Sequence, residues 1–456
     1  MKSQNEVLNK WLNIMLRTIR DNKLGPTYTG RFLYLVSTII YYANLCFRPR
    51  PSKLTEKELV VLDMKELNTN VFDFVICESM KYLYDKLNYP KIELVADDPI
   101  TKLSYFTNKV ISNTKKFIDR RDQDGWRNAS IQPSYPNGSS FIDTMNVQDL
   151  SGTLTEHHKW TPLKNKGSAS AQKYLTPGWG EVTSCENIYV SKYVQIADEN
   201  FLENERSREI EEVVKTYSNL TDSQRMIAEY FQGGQVTPPG IWNVWGLYTI
   251  NSTNLEPAKA TEFFYLLNKS LFIASIVAWN VKRKYMQARP IQEIRLLESQ
   301  QVSNFDGNPV TNNIWIPFQQ INNLTPPFPD YISGHSTFSS AAAVVFDKYF
   351  PKSFAEMNFE PFSNEHGSMI SQLLENNEYE NNVKVVMFKI NSSSVYDVSL
   401  SPLKFPMCAV KLTFNTWREL ANLSGISRIY GGIHGNNANN AGLIIGETIA
   451  KDILNL

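Results

Sequence analysis

The residues of this chain best suited to chemistry are a lysine, two arginines, a serine–glycine pair and two histidines, grouped in three short motifs. Lys282 and Arg289 stand in the pattern K-x6-R followed by Pro290, Ser333-Gly334-His335 form a second motif, and Ser427-Arg428 precede His434 by the spacing SR-x5-H. Three cationic side chains, a hydroxyl and a glycine amide at a helix start are the donors that neutralise a tetrahedral oxyanion such as phosphate or vanadate. One histidine can then bond the central atom while the other carries a proton. Each motif alone has a local reading. The lysine and arginines could make a solvated face with Arg283 and Lys284, Ser-Gly-His could cap a helix, and Gly431-Gly432 could end one. Together they favour a composite anion site. No G-x-S-x-G elbow or H-E-x-x-H motif competes. His366 stands alone, and His157 and His158, without ligand-spaced partners, are expected at the surface.

The elements that must position these groups read as mainly α-helical. Apolar spacing predicts helices over 4–22, 32–47, 53–68, 71–87 and 99–120, with short connections. Between 121 and 186 the composition turns to Gly, Asn, Ser, Pro and Trp, which suggests an ordered excursion over the helical body that shapes a cleft wall. Helical patterning returns at 200–214 and at 221–231, where Thr221 and Gln224 have the spacing of a capping box. Pro238 to Asn243 reads as a break. The strongest helix is expected over 257–286, with Phe263, Leu267, Leu271, Ala274 and Ala278 on one face. Seven residues being close to two turns, Lys282 and Arg289 are expected on one face of that helix, with Pro290 turning Arg289 out of helical geometry. A proline-rich loop, 304–331, leads into a helix that runs to about residue 350. An insertion, 351–406, holds at most a minor β-hairpin (383–390 with 394–400), and helices over 413–423 and 441–454 close the chain. The expected organisation is an N-terminal helical region, 1–200, and a C-terminal one, 201–456, that carries the three motifs, packed as one unit.

Composition bounds what such a site can serve. The chain has 456 residues, enough for a large core, with 42% hydrophobic and 20% charged residues. Lysine plus arginine equals aspartate plus glutamate at 46 each, so no bulk charge recommends a nucleic acid or an anionic membrane as partner. Cys46, Cys77, Cys185 and Cys408 lack C-x-x-C spacing, which argues against a zinc module or disulfide framework. With no apolar signal segment and no window long enough to span a bilayer, a soluble, cytoplasmic protein is expected.

K-x6-RP, SGH and SR-x5-H, in this order, resemble the three-part motif of the vanadium-dependent haloperoxidases and the related type 2 phosphatidic acid phosphatases. The stretches Trp160-Thr-Pro-Leu163, Tyr174-Leu-Thr-Pro-Gly-Trp-Gly180, Thr237-Pro-Pro-Gly-Ile-Trp-Asn243 and Tyr430-Gly-Gly-Ile-His434 resemble the soluble bacterial haloperoxidase-like branch, so the likeness covers nearly the whole chain. It implies a helical-bundle fold with long ordered loops, vanadate as cofactor, and hydrogen peroxide, halide and a small organic acceptor as partners, with homo-oligomerisation left open. By the same resemblance Lys282, Arg289 and Arg428, with Ser333 and the Gly334 amide, would neutralise vanadate oxygens. His434 would be the ligand to vanadium, His335 the acid–base, and Lys282 would polarise the peroxide for halide attack. Trp279 and Phe328 match aromatic positions beside the halide path. Ile332 stands where proline is usual. Gly435-Asn436-Asn437-Ala438 stands where the family carries an aromatic, a polar residue, an aromatic and an aspartate, removing bulk and acid beside His434. The implied activity is oxidation of halide to hypohalous acid. The same pocket could instead hydrolyse phosphate monoesters through a phosphohistidine, with no cofactor, or bind an oxyanion without catalysis.

Overall fold

The computed structural model describes residues 4–45, 69–90, 94–96, 105–131, 145–146, 158–164, 171–184, 188–232, 236–253, 255–297, 301–304, 307–319, 324–351, 355–359, 386–388, 410–414 and 416–456. Thirteen α-helices among them dominate the architecture, in keeping with the mainly α expectation. The spine is the ninth, α9 (Pro257–Tyr285). Pro257 occupies its first turn, where a missing N–H costs nothing, and Met286 ends it in the left-handed region at φ 50°. Phe263, Phe264, Leu267, Leu271, Phe272, Ile276 and Trp279 are fully buried along it. This helix alone is long and apolar enough, among the described residues, to cross a bilayer, and most of its apolar window is enclosed by protein. Losing one such side chain, as in Leu271→Ala, would cost about 2–5 kcal/mol.

Helix α2 (Pro26–Leu45) packs along one side of α9, and α11 (Gly334–Tyr349) packs along another. Against α11 lie α8 (Thr237–Thr253), α12 (Trp417–Tyr430) and α13 (Asn436–Leu454). The run Ser339-Ser340-Ala341-Ala342-Ala343 gives α11 a slim, buried surface that its neighbours approach closely. A Cβ on Gly446 of α13 would lie 2.2 Å from the Thr337 carbonyl oxygen, so the α11–α13 crossing needs glycine there. One core cluster draws on residues from Val7 to Leu454. A second, built on Tyr217, Ile291, Ile294, Trp315 and Phe318, lies beneath α6 (Arg206–Tyr217) and α10 (Pro290–Leu296).

The described parts of the excursion between 121 and 186 are tied to the helical body. Arg31 bridges to Asp124 at 2.9 Å, both buried, and Arg121 joins the same carboxylate. The Trp179 indole donates to Ser275 Oγ at 2.8 Å, and the Leu175 amide donates to the Pro327 carbonyl in the loop before α11. The expected capping box also forms: the Thr221 amide donates to Gln224 Oε1, and the Gln224 amide to Thr221 Oγ1, at the start of α7 (Asp222–Tyr230).

Several expectations are corrected. Pro238 to Asn243 is not a break but the opening of α8, since prolines are tolerated in a first helical turn. A helix at Val190–Glu199 (α5) precedes α6, and α6 begins at Arg206 rather than near residue 200. Lys282 and Arg289 do not share a helix, because α9 stops at Tyr285 and Arg289 is the extended N-cap residue of α10 (φ −79°, ψ 151°). The last helix starts at Asn436, five residues before the expected 441. Among the described residues, minor β-structure consists of two two-stranded ladders and one three-stranded sheet. In that sheet Val386–Phe388 pairs in parallel with Ala355–Phe359, which pairs antiparallel with Val410–Phe414. The expected helix 53–68, the strand 394–400, His157, His366 and three of the four cysteines lie outside the described residues; Cys77 is a buried free thiol.

Candidate oxyanion site

Four chain segments meet beneath the start of α11. From the last turn of α9, Lys282 is fully buried and its Nζ donates to the carbonyls of Pro329 (2.7 Å) and Asp330 (2.9 Å). Past the Met286 turn, Arg289 Nε donates to the Phe328 carbonyl and Nη1 to the Ile433 carbonyl, both at 2.8 Å. Arg289 Nη1 also lies 3.1 Å from His434 Nε2, while the buried Nη2 has no hydrogen-bond partner among the described residues. Both cations stand over the Phe328 ring, at 5.1 and 5.0 Å from its centroid. Arg428, near the end of α12, is buried and donates to Gln319 Oε1 at 3.3 Å.

The loop before α11 supplies acceptors on one side and helix-start donors on the other. Ser333 is the N-cap, and its Oγ accepts from the Ser336 amide, so the local capping reading holds alongside the functional one. Its own amide donates to the Ala438 carbonyl at 2.9 Å, tying α11 to α13. Gly334 opens the helix, so its N–H has no intrahelical acceptor. The Tyr331–Ile332 peptide, where proline is usual in the resembling family, is cis. Trp279 and Phe328 do lie together, with ring centroids 4.9 Å apart, but the Trp279 indole N–H is committed to the Leu175 carbonyl at 2.9 Å.

The two histidines differ in how they are held. His335 Nε2 lies 2.7 Å from the Phe231 carbonyl oxygen, which can only accept, so Nε2 carries the hydrogen and Nδ1 the lone pair. Burial, with Arg428, His434 and Arg289 nearby, pushes its pKa well below the ordinary histidine value and keeps it neutral. His434 is buried, with Nδ1 hydrogen-bonded to Asp330 Oδ1 and Nε2 facing Arg289. A guanidinium only donates, so Nε2 holds the lone pair. Burial and Arg289 push His434 down as well, against the pull of Asp330. Burial pushes Asp330 up, but His434, Arg206 and Arg289 outweigh it and hold the carboxyl below the usual range.

His434 reaches this position because α12 ends in a double turn. The Gly432 amide donates to the Ile429 carbonyl and the Ile433 amide to the Arg428 carbonyl, with Gly432 left-handed at φ 67°. The glycine–asparagine run that follows is also well used. A Cβ on Gly435 would lie 2.1 Å from the Glu209 carboxyl carbon, and Glu209 accepts from the Asn437 amide. Asn437 in turn pairs with the backbone of Asn200 and Leu202, and Asn439 accepts from Ser336 Oγ. Lost bulk beside His434 is thus filled by α6.

The structure brings Lys282, Arg289, Ser333, Gly334, His335, Arg428 and His434 into one region, with Phe328 beneath the cations. His158 is exposed, as expected, and contacts Glu293 at 3.2 Å. Sequence reasoning missed Asp330, although it lies in the proline-rich loop just before Ser333-Gly334-His335, and Arg206, which bridges Asp330 at 3.0 Å and Glu209 and Glu293 at 2.7 Å each. Asp330 had a signal, as an acid three residues before a site serine; Arg206 had none, because Asp330 and Glu293 lie far from it in sequence.

These residues fit an oxyanion such as vanadate. Lys282 is driven below its ordinary pKa by burial and by Arg289, more than Asp330 restores, so an added anion would relieve an uncompensated charge. The orphaned Arg289 Nη2 points to the same deficit.

Comparison with known proteins bears on the fold. Residues 262–456 match the family model of the VCPO second helical-bundle domain. No curated protein sequence is similar enough to match. Among solved structures, the holo form of a bacterial vanadium-dependent chloroperoxidase is similar at TM-score 0.68 and 14% identity, covering 94% of this chain and 92% of that one. Its apo form gives 0.68 at 13% identity, with 95% of each chain covered. A bacterial vanadium-dependent iodoperoxidase gives 0.60 at 15% identity, covering 99% and 95%. The chain thus shares the fold of these structures over nearly its full length, and its residues from within α9 onward match the model of the VCPO second helical-bundle domain.

Proposed function

We propose that the protein is a vanadate-dependent haloperoxidase, oxidising halide with hydrogen peroxide to hypohalous acid. The observation that carries this is that the Nε2 lone pair of His434 faces Arg289, whose Nη2 has no hydrogen-bond partner among the described residues, with the buried Lys282 beside Arg289 over the Phe328 ring. Vanadate, when bound, would supply the peroxide activation that no side chain provides. Lys282, Arg289 and Arg428 would hold its charge, Ser333 Oγ and the Gly334 amide would donate to its oxygens, and His434 Nε2 would be its protein ligand. His335 has its lone pair at Nδ1 and is neutral, so it can take a proton from hydrogen peroxide there and pass it on. Phe328 holds the two cations from below and excludes water from them. The solved structures that share the fold are of vanadium-dependent chloroperoxidase and iodoperoxidase, which favours this chemistry over others the site could host.

A second reading has one specific observation in its favour. His434, held at Nδ1 by Asp330 with its lone pair at Nε2, is also oriented as a nucleophile toward phosphorus. His335 would then protonate the leaving alcohol. A parallel assay of bromide oxidation and p-nitrophenyl phosphate hydrolysis, each with and without added vanadate, separates the two. Halide oxidation that appears only with vanadate supports the first reading. Phosphate release that vanadate inhibits, with no halide oxidation at any pH, overturns it.

A further inference from the structure

We propose that Asp330 is the positioning residue that fixes the tautomer and orientation of His434, and that Arg206 is the clamp that holds Asp330 in place. The inference rests on the reading of His434 as the residue that meets the bound oxyanion. No acid lies among the six residues after His434, since residues 435–440 read Gly-Asn-Asn-Ala-Asn-Asn. Asp330, from the loop before α11, supplies one instead: its Oδ1 accepts from His434 Nδ1, and its side chain is fully buried. Its other oxygen is bridged by Arg206 at 3.0 Å. The loop itself is pinned, because the Asp330 amide donates to the Gln287 carbonyl and the Asp330 carbonyl accepts from Lys282.

Arg206 does more than neutralise one acid. Its Nη2 donates to the Ala288 carbonyl, next to Arg289, and its guanidinium reaches Glu209 and Glu293, all buried. Glu209 accepts from the Asn437 amide in the first turn of α13, just past His434. One side chain from α6 therefore ties together the backbone beside Arg289, the acid behind His434 and the helix start after it. A carboxylate on Nδ1–H orients the ring and raises the donor strength of the opposite nitrogen, and losing such a partner typically weakens binding about 10–100-fold.

The test reads His434 directly. Nitrogen-15 spectra of histidine-labelled protein are expected to show His434 protonated at Nδ1, with a lone pair at Nε2. In Asp330→Asn this signature should give way to a mixture of tautomers. Orthovanadate and inorganic phosphate, titrated separately by calorimetry, should both bind about 10–100-fold more weakly. Arg206→Gln is expected to shift both readouts in the same direction. Wild-type His434 protonated at Nε2, or Asp330→Asn leaving tautomer and affinity unchanged, would overturn the proposal. Should the wild type bind neither anion, the oxyanion reading fails, while the spectra still decide whether Asp330 sets the tautomer. Asp330→Glu, which keeps the charge on a longer arm, should recover part of the affinity; a purely packing role predicts no such recovery.

Discussion

Two helix starts face each other across the site, and each places a histidine at its opening. At α11 the chain caps itself: Ser333 accepts from its own helix, and His335 in the first turn is anchored by one backbone carbonyl, that of Phe231. At α13 the N-cap is Gly435, which has no side chain to offer, and Glu209 crosses from α6 to accept from the Asn437 amide. His434, just ahead of that helix, is held at both ring nitrogens by charged groups, Asp330 and Arg289. A histidine with one neutral anchor and a free lone pair is suited to picking up and releasing a proton. One oriented at Nδ1 by a carboxylate is suited to bonding a central atom through Nε2 once an incoming oxyanion takes Arg289 Nη1 from it. On the proposed reading, the local cap builds the proton carrier and the long-range clamp builds the ligand.

Removing the gripped histidine should have the largest effect. His434→Ala is expected to abolish bromide oxidation and to weaken orthovanadate binding by more than about 100-fold, read by activity and by titration calorimetry. His335→Ala should break the symmetry of the comparison, lowering turnover by about 10²–10⁴-fold while leaving vanadate affinity within a few-fold of wild type. If both variants lose affinity alike, the division of labour between the two helix starts is wrong.

The proton carrier also leaves a mark on stability. The folded state holds His335 neutral well below its ordinary pKa, whereas the unfolded chain takes up a proton near pH 6.5. Unfolding therefore binds more protons in acid, so stability falls as pH drops below about 6.5, by up to about 1.4 kcal/mol per pH unit for this group. His335→Ala should flatten that part of a melting-temperature profile. The smallest expected change lies on the clamp side. Gly435→Ala would drive a Cβ into the Glu209 carboxylate and cost about 1–3 kcal/mol, measured by chemical denaturation. A Gly435→Ala variant as stable as wild type would mean that α6 yields there and that the clamp is loose.

Much of the fold was legible because its signals are local. The Thr221–Gln224 capping box and the apolar face of α9 need only neighbours three or four residues away, and both appear where expected. Pro238 and Pro239 were misread for a related reason: proline ends a helix from within but opens one at its first turn, and sequence does not say which turn it occupies. The seven-residue spacing of Lys282 and Arg289 suggested a shared helix, yet the left-handed Met286 ends α9 between them. The two side chains still converge, through backbone carbonyls of the 328–330 loop.

The sequence by itself determined which groups could do chemistry here, since cations, hydroxyl and imidazoles are properties of residue type and the three motifs are short. It also determined most of the longer helices, whose hydrogen bonds close within four residues. Only the tertiary structure decided what holds those groups. Asp330 behind His434, Arg206 behind Asp330 and Glu209 over Gly435 are contacts between segments far apart in the chain, and no local periodicity encodes them. Absence of an acid after His434 read as a loosened site. Folding brings one from the other side, because a buried imidazole N–H must find an acceptor and Asp330 is the carboxylate within reach.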